Sequence, residues 1–338
     1  MIIRLLFCNF VTINYMNESY QHIIAPISAE FEDFKLLFND CFQSSQSILT
    51  LALQHIHQRN GKLMRPILTL LFAKAFGAVS QSAFHAAVSL ELLHTSSLVH
   101  DDIVDESDMR RGQKSVNSLF SNQVAVLVGD YLLALSLKHA SETNNIHMVH
   151  SISVLGQLLA TGELEQLADT QLDDFSYELY YSVIRKKTAS LFSTAALVGA
   201  LSAGASPDLQ EIAQNFGEIV GTIFQIKDDI FDFNADSNIG KPTGSDMKEG
   251  KLTLPALYFI RQHPEYQSTA KRIRSLDASY SEVTDFVEMV KEGGGVAYAT
   301  CVMNDLRNQA ISLLPHSIPF DIRDGLIAYV DFVIQRDI

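Results

Sequence analysis

The sequence predicts an all-α fold, and three observations carry that expectation. Apolar residues recur at helical spacing along almost the whole chain, the Val-Ile-Thr alternation that marks strands is nearly absent, and turn-forming residues are confined to short clusters. The first helix is expected over 28–43, where Phe31, Phe34, Leu37 and Phe38 share a face and acids lie between them. A strongly apolar helix follows over 65–76, with Pro66 in the first turn, where a missing N–H does no harm. Residues 81–105 and 116–140 read as long periodic helices without Pro, and without Gly except Gly129. The stretch 188–207 is uncharged and rich in Ala, Ser and Gly, which suits a close-packed buried helix better than a membrane span. Breaks are expected at Arg59-Asn60-Gly61, Arg111-Gly112, 141–145, Ser206-Pro207, 238–250 and 293–295. No Ser-, Pro- or Gly-rich linker divides the chain, so 17–338 is expected to be one large helical domain. Segment 1–16 is apolar with only Arg4 charged, is interrupted by Asn9, and leads to no small-residue cleavage site. It reads as an extra N-terminal segment, with Met16 as the better start.

Composition narrows the function. With 338 residues, 47% hydrophobic and 19% charged, the chain has ample material for a core and is not disordered. Lys and Arg number 25 against 39 Asp and Glu, a formal charge of −14, so nucleic acid is not an expected partner. A phosphorylated ligand would need a local basic cluster or metal ions held by carboxylates. Cys8, Cys41 and Cys301 are an odd, widely spaced set, which excludes a disulfide framework or a structural zinc site and fits a reducing cytoplasm.

One pattern occurs twice. Asp101-Asp102-Ile103-Val104-Asp105 and Asp228-Asp229-Ile230-Phe231-Asp232 are both D-D-x-x-D, and each ends an apolar helical run. Residues i and i+4 share a helix face, so Asp101 stacks over Asp105 and Asp228 over Asp232, and like charges so placed repel. A bound cation relieves the repulsion. All the donors are oxygens, which points to Mg²⁺ rather than Zn²⁺, and Mg²⁺ commonly bridges one or two carboxylates to phosphates. A solvated acidic helix end accounts for one such motif; two of them argue for a polyphosphate site.

The scarce cations are grouped. Arg110 and Arg111 follow the first motif, Lys62 and Arg65 sit in Gly61-Lys62-Leu63-Met64-Arg65-Pro66 at a helix start, Lys187 precedes Thr188, and Lys241 and Lys251 flank the loop after the second motif. Any single pair reads as solvated surface. Together they suggest two anion sites, one through metals and one by direct contact. His94 is seven residues before Asp101, two turns away on the aspartate face, whereas His100 points elsewhere and reads as structural. Asp130 has no role the sequence assigns.

These blocks resemble the trans-type polyprenyl diphosphate synthases. Leu92-Leu93-His94, Leu98 to Asp105 and Met109-Arg110-Arg111-Gly112 are similar to that family's first signature. Phe224 to Asp232, with Gly240-Lys241-Pro242 and Gly250-Lys251-Leu252-Thr253-Leu254-Pro255, is similar to its second. Gly61 to Pro66 matches its G-K-x-x-R-P, although Asn60 replaces a glycine often found before it, and Lys187-Thr188-Ala189-x-Leu191-Phe192 matches a further block. The likeness runs from about Ser28 to the C-terminus.

The resemblance implies a helical bundle around a deep central cleft, a homodimer, and a prenyltransferase that joins isopentenyl diphosphate to an allylic prenyl diphosphate. It implies Mg²⁺ on the allylic diphosphate, held by Asp101, Asp105 and Asp228 with Asp102, Asp229 and Asp232 nearby. Arg110, Lys187, Lys241 and Lys251 would contact the same diphosphate. Lys62, Arg65, His94 and Arg111 would bind isopentenyl diphosphate, and Thr188 and Gln225 would lie beside the reacting carbons. A non-catalytic partner subunit would have eroded acidic motifs, and a terpene cyclase would not need the second cationic site. Short-chain members carry bulky aromatics four and five residues before the first motif. Ser97 and Ser96 stand there, with Leu90 and Ala86 further back, so a medium or long product in the octaprenyl range is expected.

Overall fold

The computed structural model describes residues 18–58, 61–169, 175–233 and 244–336, so Lys241 and the segment 1–16 lie outside the described residues. Numbered along the chain, the principal helices are α1 (Ser28–Asp40), α2 (Ser47–His57), α3 (Met64–Phe76), α4 (Gln81–Val104), α5 (Val116–Leu119), α6 (Asn122–Glu142), α7 (Ile146–Asp169), α8 (Tyr177–Ile184), α9 (Ser190–Ser202), α10 (Pro207–Phe231), α11 (Ser245–Lys248), α12 (Leu254–Gln262), α13 (Gln267–Arg274), α14 (Tyr280–Glu292), α15 (Gly295–Leu313) and α16 (Phe320–Gln335). Strands among the described residues are limited to β1 (Met109–Arg110) and β2 (Gln113–Lys114), paired antiparallel. The fold is all-α, as the sequence predicts.

Two compact units make up the chain. Within the described residues the first runs to Gly156 and takes in Leu191–Gly217 and Leu314–Phe332, and the second holds Gln157–Ser190, Glu218–Leu313 and the chain from Val333. In the first, α1 buries Phe31, Phe34 and Phe38, stacked at centroid distances of 5.9 and 5.5 Å. The expected helix over 116–140 is broken at 120–121, because the Ser121 hydroxyl accepts from Val124 N at 3.2 Å and starts α6 afresh.

Helices α4 and α6 pack closely through small residues. Ser89 Oγ donates to Ser136 O at 2.8 Å, Ser96 Oγ donates to Gly129 O at 2.8 Å, and a Cβ on Gly129 would lie 2.2 Å from His100 Nε2. The uncharged α9 is close-packed as expected, since a Cβ on Gly199 would stand 2.3 Å from Thr69 O on α3. By length and apolarity alone α6 is long enough to cross a membrane, with 39% of its apolar window buried.

In the second unit the helical run from α8 to α9 is interrupted by a π-helical turn at Arg185–Ala189. Gly162 of α7 lets that turn approach, because a Cβ there would meet Lys186 Cβ at 2.7 Å. A capping box at Ser279 and Glu282 opens α14. Gly295 lets α15 lie against α12, a Cβ there falling 2.4 Å from Pro255 O.

Candidate active site

In the first unit α4 ends at Val104, and the Asp105 N–H donates to Asp101 O at 2.8 Å to close the last turn. Asp105 is exposed and Asp101 half-buried, while Asp102, turned inward, is 3% exposed. Asp102 accepts a two-pronged contact from Arg110, whose Nε stands 2.8 Å from Oδ1 and whose Nη2 reaches the same oxygen. Burial pushes the Asp102 carboxyl above its ordinary value and the Arg110 contact pulls the other way. Arg110, expected on a diphosphate, is thus engaged by Asp102 in this structure. Asp102, expected near the outer acids, faces inward and is bonded to Arg110 of the hairpin.

That hairpin turns in two residues, Arg111 at φ 50° and Gly112 at φ 74°. A left-handed non-glycine is strained by about 1–2 kcal/mol. Leu63, in the Gly61–Pro66 block, is a second case at φ 51°. The two strained segments meet: a Cβ on Gly61 would stand 3.0 Å from Arg111 Nη2, so the glycine leaves room for the guanidinium. Arg65 lies over the Phe192 ring at 5.0 Å and Lys62 over Phe332 at 5.0 Å.

His94 and Glu91 belong to the same neighbourhood, and the atoms His94 Nδ1 and Glu91 Oε2 are buried without a hydrogen-bond partner. Burial, then the charges of Arg65, Arg111 and Arg110, holds His94 well below the usual histidine range, so the imidazole is neutral. Burial raises the Glu91 carboxyl while Arg65 and Arg111 oppose the shift. A cavity of about 50 Å³ is lined by Glu91, Thr95, Asp102, Arg110 and Arg111. Sequence reasoning missed Glu91, whose signal is a lone acid inside an apolar helix.

In the second unit the acidic motif ends α10, and its members have different surroundings. Asp229 is 1% exposed and accepts from Tyr180 Oη at 2.5 Å and from Gln225 Nε2 at 3.0 Å. Burial pushes its carboxyl up to about 8, against the pull of the Tyr180 bond. Asp232 receives Ser245 N at 2.8 Å, Ser245 Oγ at 2.7 Å and Asp246 N at 3.2 Å, so it holds the start of α11. Both, expected near the metal, also take these hydrogen bonds from neighbouring chain. Asp228 keeps its side chain 41% exposed and pairs with Arg336 at 2.6 Å.

A cavity of about 230 Å³ in this unit is lined by Tyr180, Lys187, Thr188, Gln225, Asp229 and Lys251, among others. Thr188 Oγ1 donates to Gln225 Oε1 at 2.7 Å, which leaves the Gln225 amide to donate to Asp229. Lys187 pairs with Glu163 and donates to Gln166 at 2.9 Å, and Lys251 pairs with Glu249 at 2.7 Å. Tyr180 and Arg336 were missed by sequence reasoning because their partners are distant along the chain.

The residues expected to set product length are divided. Ser96 is buried with its hydroxyl on Gly129 of α6, a packing role, whereas Ser97 is half-buried and donates to His94 O at 2.9 Å. Leu90 and Ala86 are fully buried. Neither cavity described above is lined by any of the four. Asp130 gains a place that the sequence did not show, 3.6 Å from His100 Nε2.

The chain is similar to known proteins in sequence and in fold. The model of the polyprenyl synthetase family matches residues 46–290. An all-trans-nonaprenyl-diphosphate synthase (geranyl-diphosphate specific) of Rhodobacter capsulatus is 33% identical over 302 residues, covering 88% of this chain and 93% of its own. The crystal structure of a geranylgeranyl pyrophosphate synthase from Bacteroides thetaiotaomicron is 44% identical with a TM-score of 0.82, covering 94% of this chain and all (100%) of its own. A polyprenyl synthase from Caulobacter crescentus, solved with calcium and isoprenyl diphosphate, is 30% identical with a TM-score of 0.87 over 94% of this chain and 98% of its own. With two intact acidic helix ends, a matching fold and a family match over most of its length, the chain belongs to the polyprenyl synthetase family and is a prenyltransferase.

Proposed function

We propose that the chain is a Mg²⁺-dependent synthase that condenses isopentenyl diphosphate onto an allylic diphosphate primer to make a medium- or long-chain all-trans polyprenyl diphosphate. The observation that carries this reading is the sorting of carboxylates. Asp102 and Asp229 are buried and Asp232 anchors the start of α11, while Asp101, Asp105 and Asp228 lie half-buried or exposed at two helix C-termini, Asp228 beside Arg336. Negative charge at a helix C-terminus is unfavourable, so these acids gain from a cation. Their oxygen-only donor set fits a hard divalent ion.

Asp101, Asp105 and Asp228 would hold Mg²⁺, which would supply positive charge against the negative charge that the departing pyrophosphate gains. Lys187 and Lys251, beside one cavity, would exchange their present acidic partners for that leaving group. Thr188 and Gln225, fixed by their own hydrogen bond, would border the reacting carbons and exclude water. In the first unit Lys62, Arg65 and Arg111 would hold isopentenyl diphosphate, with neutral His94 available as a hydrogen-bond donor beside them.

Labelled isopentenyl diphosphate with geranyl or farnesyl diphosphate and Mg²⁺ should give an extended product, and excess EDTA should abolish it. Lys62→Ala or Arg65→Ala should raise KM for isopentenyl diphosphate more than for the primer, by about 1.5–3 kcal/mol of lost contact, and Lys241→Ala should show the opposite bias. Equal effects on both substrates would refute the division of sites.

A long product is supported by the small Ser97 and by the nonaprenyl relative; the geranylgeranyl-making neighbour supports a shorter one. Ser97→Phe should shorten the chain to about farnesyl or geranylgeranyl without loss of the first condensation. A wild-type product that already stops at farnesyl would overturn the long-chain reading. Homodimerisation belongs to the same proposal. Val126, Leu127, Leu133 and Leu137 form an exposed apolar face on α6 for a second copy to cover, and Leu127→Glu with Leu137→Glu should give monomers in sedimentation. A cytoplasmic location is supported by the free thiols of Cys41 and Cys301.

A further inference from the structure

Arg336 has a place in the second unit that no sequence motif announces. It follows directly on α16, and 9% of the residue is exposed. Its guanidinium carbon lies 3.5 Å from the centroid of the Phe224 ring and 5.7 Å from that of Phe231. Its Nη2 donates to Phe224 O at 2.8 Å and to Asp228 Oδ1 at 2.6 Å. Phe224, Asp228 and Phe231 succeed one another on one face of α10, so a single side chain spans two turns of the helix that carries the acidic motif. A guanidinium stacked on an aromatic ring has lost most of its water and depends on the carboxylate for compensation. Lysine could not stack and fork in this way.

Charge on α10 makes the contact more than structural. Asp229 has Tyr180 and Gln225, and Asp232 has the start of α11, so the outward charge of the motif is that of Asp228. We propose that Arg336 is the resident counter-ion of Asp228, which makes divalent-cation binding there depend on diphosphate. A bare Mg²⁺ ion must compete with a cation already in place. A metal that arrives with a diphosphate brings anionic oxygens to which Arg336 can turn, so the competition is relieved. By reciprocity, loading loosens the hold of Arg336 on Asp228 and with it the C-terminal end of α16. This inference rests on the reading of Asp228 as a metal ligand.

The test is thermal unfolding of the full chain titrated with MgCl₂, alone and with inorganic pyrophosphate. In the wild type Mg²⁺ alone should shift the midpoint little and Mg²⁺ with pyrophosphate should shift it strongly. Arg336→Met, which keeps an apolar stem on Phe224, and Arg336→Gln should melt lower in EDTA. Both should respond to Mg²⁺ alone, at a concentration lower by on the order of tenfold. Arg336→Lys should keep the wild-type metal response. Hydrogen exchange at the end of α16 should speed up in the wild type when metal and pyrophosphate are both added. Identical Mg²⁺ responses in the wild type and both neutral variants would reduce Arg336 to a packing residue and overturn the proposal. An Asp228→Asn variant that responds to Mg²⁺ and pyrophosphate like the wild type would instead refute Asp228 as a ligand, and the counter-ion with it.

Discussion

The two D-D-x-x-D motifs are nearly identical as letters and unlike as structures. Both stand at the C-terminal end of a long helix, and in both the second aspartate turns inward. From there they diverge. The first keeps two outer carboxylates, Asp101 and Asp105, whereas the second uses its fifth residue, Asp232, to hold the start of α11 and has Asp228, paired with Arg336, as its outer carboxylate. The inner partners differ as well: Asp102 pairs with a cation, Asp229 with two neutral donors. A repeated motif therefore does not mean a repeated site.

The largest expected effect tests that asymmetry. Asp101→Ala and Asp228→Ala should each lower kcat by two to three orders of magnitude, about 3–4 kcal/mol of transition-state stabilisation, while the melting temperature holds or rises slightly for Asp101→Ala and falls for Asp228→Ala, which strands the buried Arg336. Asp232→Ala should act chiefly on stability through the lost anchor of α11. If Asp232→Ala lowers kcat as much as Asp228→Ala does, with an unchanged melting temperature, the two motifs are equivalent after all.

A smaller contrast separates the inner aspartates in denaturant titrations of the metal-free enzyme. Asp102→Asn leaves Arg110 without its charged partner and should cost about 2 kcal/mol, less than a fully buried pair because Arg110 is partly exposed. Asp229→Asn keeps an acceptor for Tyr180 and should cost about 1 kcal/mol. A reversed order would show that the charge on Asp102 is not what holds the hairpin.

Acid should also distinguish the units. The first contains a buried chain of polar groups, with Cys41 Sγ 3.4 Å from His139 Nε2 and His85 Nδ1 3.0 Å from His139 Nδ1. Burial, then the neighbouring His85 and Lys138, lowers the His139 imidazole to about 4 from 6.5. The unfolded chain takes up this proton below about pH 6.5 and the folded protein only near pH 4. Stability is therefore complete above pH 6.5 and declines as the pH falls through that window. Hydrogen exchange at pH 5 should show α4 and α6 losing protection relative to pH 7, and His139→Asn should flatten the response.

The smallest effect concerns Gly61. Gly61→Ala should move the Arg111 guanidinium by a few tenths of an ångström and raise KM for isopentenyl diphosphate about two- to threefold, roughly 0.5 kcal/mol. A primer KM that moves instead would place Arg111 in the other site.

Helix periodicity made α1, α3, α4 and the packed α9 legible in the sequence, because one-sided or all-round burial leaves a direct trace in apolar spacing. The cluster of Gly61, Lys62, Arg65, His94 and Arg111 was legible as motif blocks. Its internal logic, a guanidinium resting on a glycine, was not. The use of Asp102 and Asp229 was hidden for a related reason: spacing tells which face a side chain takes, while its partner there comes from another element. Tyr180 lies 49 residues from Asp229 and Arg336 lies 108 from Asp228, separations that no local pattern encodes. The break before α6 turned on one serine hydroxyl, too small a signal against a continuous apolar run.

The π turn at Arg185–Ala189 amounts to one supernumerary residue in a helical count, and its effect is angular. Side chains beyond it are rotated by about 100° from the directions that an uninterrupted helix begun at Tyr177 would give them. Lys187 and Thr188 lie within that phase slip. Deleting Arg185, whose side chain is on the exposed rim beside Glu218, would restore a regular helix while every motif letter survived. Thr188 would swing away from Gln225, and the chain would still match its family by alphabet while being silent in an assay. A one-residue gap at this point in an alignment is therefore better read as a rotation than as a missing amino acid.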